Sequence, residues 1–360
     1  MDDSLIASPG QHATVITELA QQLQVEDRGL IADKPESFNG MEIQLVGDDG
    51  YFVHQYTRIM DYLQTFGMLD CEPAPTPMLV EHGLDWRENA PPPLRGELEH
   101  LRGTFGTPAK AVGDLIFITQ TCRPDVRHAV AKIGSRQDPT CVYFYRAVRH
   151  LWRYLKGAAD WGILYRFNRT SDRESFHNQT VVYTDADWAA DSRDRKSYSG
   201  ILVFVAGNLV AWSSRKQSMV ATSTAYAEVA AMSEGLERAI EVDQLARSQT
   251  GHIYAKPPVI IMKQDNKTAK TMSENYRCTR KTRSQDVKYY NVRNHVETRR
   301  VQIDYVPSED QLADILTKPL TTTRFRMLRS KIMCSLSSLN VKPLWVKPDA
   351  GSRGGCQTKV

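Results

Sequence analysis

A chain of 360 residues, 41% of them hydrophobic and 24% charged, is long enough for two or three domains with proper cores, and this composition excludes general disorder. Its net charge of +4 is mild, but between Arg277 and Arg300 eight Lys or Arg stand against two acids, a run that suits either a polyanion or a solvated helix face. The six cysteines form no CxxC pair, no apolar run reaches membrane-spanning length and the N-terminus lacks a signal-peptide layout, so free thiols in a soluble, intracellular protein are expected.

In chain order, Met1-Asp2-Asp3 opens on an acidic pair, and the stretch HATVITELAQQLQV carries a helical pattern on Val15, Ile16, Leu19, Leu23 and Val25. A hairpin is predicted where Met41 to Leu45 meets the turn Gly47-Asp48-Asp49-Gly50 and Tyr51-Phe52-Val53 resumes the strand pattern. Tyr56 to Phe66 reads as a helix with Ile59, Met60 and Leu63 on one side. This unit looks too short to close its own sheet.

Pro73, Pro75, Pro77 and Pro91-Pro92-Pro93 then bracket a polar stretch that reads as linker and surface loop. From about Lys110 to Leu164 the pattern is helical. Tyr143, Phe144, Tyr145 and Trp152 interleave there with Arg146, Arg149, Arg153 and Lys156. Such a mixture can track a nucleic-acid backbone, and it equally describes an amphipathic helix with aromatics in the core and Arg at the rim.

Three strands follow: one from Val181-Val182-Tyr183 that runs into the acids Asp185 and Asp187, one from Ser199 to Val205 and, after the turn Gly207-Asn208, one from Leu209 to Ser213. Tight turns make them an antiparallel meander. Ser223 and Thr224 are candidate N-caps for a long helix to about Arg247. A fourth strand, Val259 to Met262, is all apolar and fits a central position covered on both faces. It ends in Gln264-Asp265-Asn266. Short helices, a strand from Val301 to Val306 and a helical turn over Gln311 to Leu316 complete the order, and from about Ser335 the tail reads as frayed.

Four acids stand out on this frame. Asp185 closes the first strand, where a buried carboxylate is costly unless a metal ion or a paired cation compensates it; with Asp187 it also fits a solvated turn. Glu228 lies near the start of the long helix, where the helix dipole alone would favour its charge. Asp265 ends the fourth strand and Asp314 lies near the last helices. The meander, the helix and the returning strand bring the first three toward one spot. Converging carboxylates need cations, and all-oxygen ligands suit Mg²⁺ first and Mn²⁺ second. Two such ions can activate water and stabilise the leaving oxygen in phosphodiester cleavage.

YTDADWA, SYSGILVF, AWSSRKQ, STAYAE, QDN and QLADILTKPL, in this order, resemble the ribonuclease H domain of copia-type LTR retrotransposon Pol polyproteins. MDDSLIAS resembles the end of a reverse transcriptase palm motif, and HQYTRIMDYLQTFGMLDCEPAPTPM, VGDLIFITQTCRPDVRHAVAKI and WRYLKGAADWGILY resemble the rest of the palm and the thumb. The resemblance spans about residues 1 to 333. It implies an α/β (α+β) chain: a truncated palm over 1–78, a linker over 79–108, a helical thumb-like region over 109–170, a ribonuclease H-like mixed five-stranded sheet with helices on both faces over 178–334, and a flexible tail over 335–360.

The resemblance makes Asp185, Glu228, Asp265 and Asp314 the catalytic, metal-binding carboxylates, with two Mg²⁺ or Mn²⁺ per site, acting on the RNA strand of an RNA·DNA hybrid. Asp2 and Asp3 match two of three polymerase aspartates. The third, with the fingers, is expected upstream, so polymerisation by this chain alone is not expected and other Pol fragments would be partners. Arg146, Arg149, Arg153, Lys156, Lys281, Arg283 and Lys288 are the nucleic-acid-binding candidates. No membrane association is expected, and the place of action is a cytoplasmic particle or the nucleus.

Departures from the family pattern are Arg283-Ser284-Gln285-Asp286 in place of Lys-His-Ile-Asp, Tyr290 in place of a second His, Asn39 for Leu and Phe144 for His. A histidine in this region would shuttle protons during product release, so its loss should slow turnover more than it affects metal binding. The alternative to a nuclease is a catalytically inactive, nucleic-acid-binding remnant.

Overall fold

A computed structural model describes residues 36–79, 91–167, 179–250, 259–274 and 286–341. Asp2, Asp3, the HATVITELAQQLQV stretch, Lys281, Arg283 and Ser284 lie outside these residues. The first part of the chain runs β1 (Glu36–Phe38), β2 (Met41–Val46), β3 (Gly50–His54), α1 (Tyr56–Thr65), α2 (Glu97–Phe105), α3 (Pro108–Thr121), α4 (Arg127–Gly134), α5 (Val142–Gly157) and β4 (Trp161–Arg166). The second part runs β5 (Thr180–Asp187), β6 (Tyr198–Val205), β7 (Asn208–Lys216), α6 (Thr224–Thr250), β8 (Ile260–Gln264), α7 (Lys267–Glu274), α8 (Asp286–Glu297), β9 (Val301–Tyr305), the 3-10 helix Leu312–Leu316, α9 (Thr322–Ile332) and β10 (Cys334–Ser335).

The strands make two five-stranded sheets, ordered β1-β2-β3-β4-β10 and β7-β6-β5-β8-β9. In the first sheet every pairing is antiparallel, and the expected hairpin forms with Val46 opposite Gly50. Asn39 turns β1 into β2 at φ +49°, a left-handed conformation that Asn tolerates better than Leu.

Three expectations need correction. The prolines hide a helix in the supposed linker: α2 buries Leu101 and Phe105. The helical reading of the thumb-like region fails at its end, where Trp161, Ile163 and Tyr165 alternate and form β4 beside β3. The short first unit, as expected, does not complete a sheet from its own strands: β4 and β10 supply strands from later in the chain. The tail is ordered through its first residues: β10 pairs with β4, and Leu336 is buried. Each miss comes from a partner distant in sequence.

α5 supplies much of the first core with Tyr145, Leu151, Trp152, Tyr154 and Leu155, all at most 1% exposed. Burying a side chain of this size contributes roughly 1.5–3 kcal/mol. A buried ion pair, Arg123 with Asp125 at 2.8 Å, accepts the Tyr154 hydroxyl at 2.5 Å, and Arg329 of α9 donates to that same hydroxyl at 2.9 Å. α9 is thereby fastened to the helical region.

The second sheet is the mixed α/β arrangement expected from the sequence. β7, β6 and β5 are antiparallel, and β8 and β9 add in parallel. Strand alternation sends Ile201 and Val203 to the face covered by Val229, Met232 and Leu236 of α6. Leu202 and Leu209 point the other way, into a core shared with Leu312, Ile315, Leu316 and the helical region. Among the described residues, no helix is long and apolar enough to cross a membrane.

Candidate metal centre

β5 carries Asp185 into the interior because its neighbours on both sides are hydrogen-bonded strands, and the carboxylate is 2% exposed. α6 begins where Ser223 Oγ accepts the Tyr226 N–H at 3.4 Å, which sets Glu228 in the second turn, 6% exposed. The helix crosses β5 closely at Gly235, where an added Cβ would stand 2.4 Å from Thr184 Cγ2. Asp265 follows directly after β8, the strand parallel to β5. Asp185, Glu228 and Asp265 each present a carboxylate oxygen within 4.8 Å of the others.

Asp314 reaches the same region from the 3-10 helix, buried at 6% exposure, but it is held by cations and stands outside that trio. Lys318 Nζ lies 2.8 Å from Asp314 and 3.5 Å from Asp185. Arg324 Nη2 donates to Asp314 Oδ2 at 2.9 Å. Thr317 donates its hydroxyl to Asp185, and Gln311, fully buried, donates to the Thr184 carbonyl at 3.0 Å while its own oxygen caps the Ala313 N–H. The segment from Gln311 to Lys318 is therefore sewn onto β5 at the acid.

Charge crowds here. Burial pushes the Asp185 carboxyl up to about 6, with Asp314 and Asp265 adding to the rise and Lys318 and the Thr317 hydrogen bond opposing it. Glu228 is raised well above the usual carboxylate range by burial and by Asp185 and Asp265, against the Gln264 Nε2–H that it accepts at 3.3 Å. Asp187 is also raised, by burial, while Lys132 and Lys318 pull it down. Lys318 is raised: its burial disfavours the charge, and Asp185 and Asp314 outweigh that. The donor set is all oxygen, anionic and partly dehydrated, which fits a hard divalent cation and offers nothing to a soft one.

The basic residues of α5 are engaged inside the protein. Arg146 makes a two-pronged contact with Glu97 at 2.8 and 2.6 Å and donates to the Pro91 carbonyl; Arg149 lies 3.8 Å from Glu97. Arg153 donates to the Glu72 carbonyl at 2.7 Å, and Lys156 to that of Cys71. These side chains fasten two proline-rich loops and α2 to α5, and the geometry favours the rim reading. Lys288 lies on α8, as does Tyr290, which is exposed. Phe144 is a core residue.

Sequence reasoning missed Thr317, Lys318, Ser308 and Arg324. Lys318 has a signal, its four-residue spacing from Asp314; Ser308 and Arg324 have none, since only the fold brings them to the acids.

No family model matches the chain. It is 29% identical over 335 residues to the retrovirus-related Pol polyprotein from transposon RE1 of Arabidopsis thaliana, covering 92% of this chain and 21% of that protein. With the Pol polyprotein from transposon RE2 of the same plant it shares 29% identity over 295 residues, 82% of this chain and 19% of that one. The chain thus spans about a fifth of the length of these relatives. Among solved structures, LC11-RNase H1 in complex with RNA/DNA hybrid matches at 20% identity and a TM-score of 0.28, over 38% of this chain and 93% of that chain.

Proposed function

We propose, from the chain's similarity to retrovirus-related Pol polyproteins, that its second sheet is a ribonuclease H that hydrolyses the RNA strand of RNA·DNA hybrids. The observation that carries this reading is the meeting of Asp185, Glu228 and Asp265, from a strand, a helix and a second strand's end, within 4.8 Å. Asp185, Glu228, Asp265 and Asp314 would hold two Mg²⁺ or Mn²⁺ ions. When bound, the metal supplies Lewis acidity toward the phosphodiester and an acidified water.

The chain's own residues set up that chemistry. Thr317 aims Asp185 by donating to one carboxylate oxygen, and Gln264 does the same for Glu228. Gln311 locks the strand end against the 3-10 helix, so the acids do not have to reorganise. Lys318 neutralises part of the charge on Asp185 and Asp314. Lys281, Arg283 and Lys288, in the basic run, are proposed to meet the hybrid backbone, where recognition rests on shape and 2′-hydroxyls. Other Pol segments would supply polymerase functions, and the place of action would be a cytoplasmic particle or the nucleus.

The competing reading, a folded but catalytically silent nucleic-acid-binding remnant, draws on Tyr290 standing where the family carries histidine. Incubating the chain with a labelled RNA·DNA hybrid and Mg²⁺, beside Asp265→Asn and a chelated control, separates the two. Cleavage by the parent alone supports the nuclease. Binding of hybrid without cleavage by a folded parent supports the remnant.

A further inference from the structure

Asp265 and Asp314 arrive at the site from different elements, the end of β8 and the 3-10 helix, and one guanidinium links them. Arg324, in the first turn of α9, donates from Nη2 to Asp314 Oδ2 at 2.9 Å and to the Ser308 carbonyl oxygen at 2.6 Å, and from Nη1 to the Glu309 carbonyl oxygen. Ser308 in turn donates its hydroxyl to Asp265 Oδ2 at 2.9 Å. Thr321 Oγ1 accepts the Arg324 N–H at 3.4 Å and so fixes the helical turn from which the guanidinium reaches out.

The loop from Val306 to Gln311 is held at its two ends by backbone and side-chain bonds, Val306 N–H to the Gln264 carbonyl at 3.0 Å and Gln311 Nε2 to the Thr184 carbonyl at 3.0 Å. Between those ends, Arg324 grips two successive carbonyls. A planar fork can hold an acid and two carbonyls at once; an ammonium supplies the charge but not that geometry.

We propose that Arg324 and Ser308 are positioning residues that act as one bridge, holding Asp265 and Asp314 at a fixed separation for cation binding. The inference rests on the reading of these acids as metal ligands. Partners of this kind, bonded to ligands and not to metal, typically change metal affinity by ~10–100-fold when removed.

Mn²⁺ binding to the full chain, followed by electron paramagnetic resonance of the free ion, tests it in the parent, Arg324→Ala, Arg324→Lys, Ser308→Ala and the Ser308→Ala/Arg324→Ala double variant. Each alanine variant is expected to weaken Mn²⁺ binding about 10-fold. The double variant should lose little more than either single one, because both cut the same bridge. Arg324→Lys should recover part of the affinity, and metal-free thermal midpoints should stay close to the parent's. Should Arg324→Ala fail to fold, Ser308→Ala, which removes one hydroxyl, carries the test.

Unchanged affinity in the singles, or fully additive losses in the double, overturns the bridge while leaving the nuclease reading intact. A parent that binds no Mn²⁺ overturns both. Weakened binding in the variants together with no hybrid cleavage by the parent upholds the bridge and sinks the nuclease reading.

Discussion

Gly200 lies directly across from Asp185 in the antiparallel pairing of β5 and β6, and its missing side chain is what lets the Asp314 segment settle onto the sheet. A Cβ there would stand 2.6 Å from Thr317 Cγ2, 2.8 Å from the Ala313 carbonyl oxygen and 2.9 Å from Leu316 Cβ. Opposed residues of paired strands point to the same face, so the space Gly200 leaves is the space beside the Asp185 carboxylate. Gly200→Ala is therefore expected to destabilise the chain by about 1–3 kcal/mol and to weaken divalent-metal binding. Urea unfolding together with a metal titration checks this; a variant as stable as the parent would mean the segment yields freely.

Gly235 makes the same kind of contact on the other face. Alanine is the better helix former by about 1 kcal/mol, so propensity alone predicts that Gly235→Ala stabilises. The contact with Thr184 Cγ2 predicts the opposite sign. We expect net destabilisation, relieved when Thr184→Ser removes the clashing methyl. A double-mutant cycle by chemical denaturation reads the coupling directly.

Glu228 is the acid whose charge the fold opposes most plainly, through burial and then through Asp185 and Asp265. Glu228→Gln keeps the shape and removes the charge. The metal-free protein should gain ~0.5–2 kcal/mol at neutral pH, and on the proposed nuclease reading Mg²⁺-dependent cleavage should be lost. Thermal melts in chelator and a hybrid-cleavage assay give the two readings. A loss of stability would mean that the carboxylate is satisfied without metal.

Acid stability has a different origin. Burial alone would push the Asp191 carboxyl up, but Lys216 Nζ at 2.7 Å and the Arg193 N–H at 3.0 Å, together with the nearby Arg136 charge, hold it at about 2. A lowered carboxylate pKa means that the unfolded chain binds the proton first, so this stability is present above the ordinary value of 3.8 and is lost as pH falls toward 2. Unfolding free energies measured between pH 5 and about 2.5 should fall less steeply in Asp191→Asn, which starts from a lower stability at neutral pH.

Period and order were legible in the sequence. The meander, the capped helix over Glu228, the all-apolar β8 and the acid after it follow from local patterns, because strand alternation, N-caps and turns are properties of neighbouring residues. From that order alone, Asp185, Glu228 and Asp265 could be assigned to one place. Where an element depends on a distant partner, the pattern misled. β4 looked helical and becomes a strand beside β3; α2 looked like linker and is held by Arg146 through Glu97; β10 looked like tail and pairs with β4.

The site itself divides in the same way. Its acids were chosen by the sequence, since a carboxylate at the end of an apolar strand is costly wherever the chain goes and so announces a compensating charge. Apart from the Asp314–Lys318 pair, four residues apart in sequence, which charges do the compensating was decided by the tertiary structure. Lys318 reaches Asp185 across 133 residues of chain, Ser308 reaches Asp265 across 43, and Arg324 reaches Asp314 across 10. Electrostatic and hydrogen-bond energies depend on distances of a few ångströms, and sequence fixes such distances only along a single element; between elements they are set by how closely two surfaces pack, here by the absence of a side chain at Gly200 and Gly235.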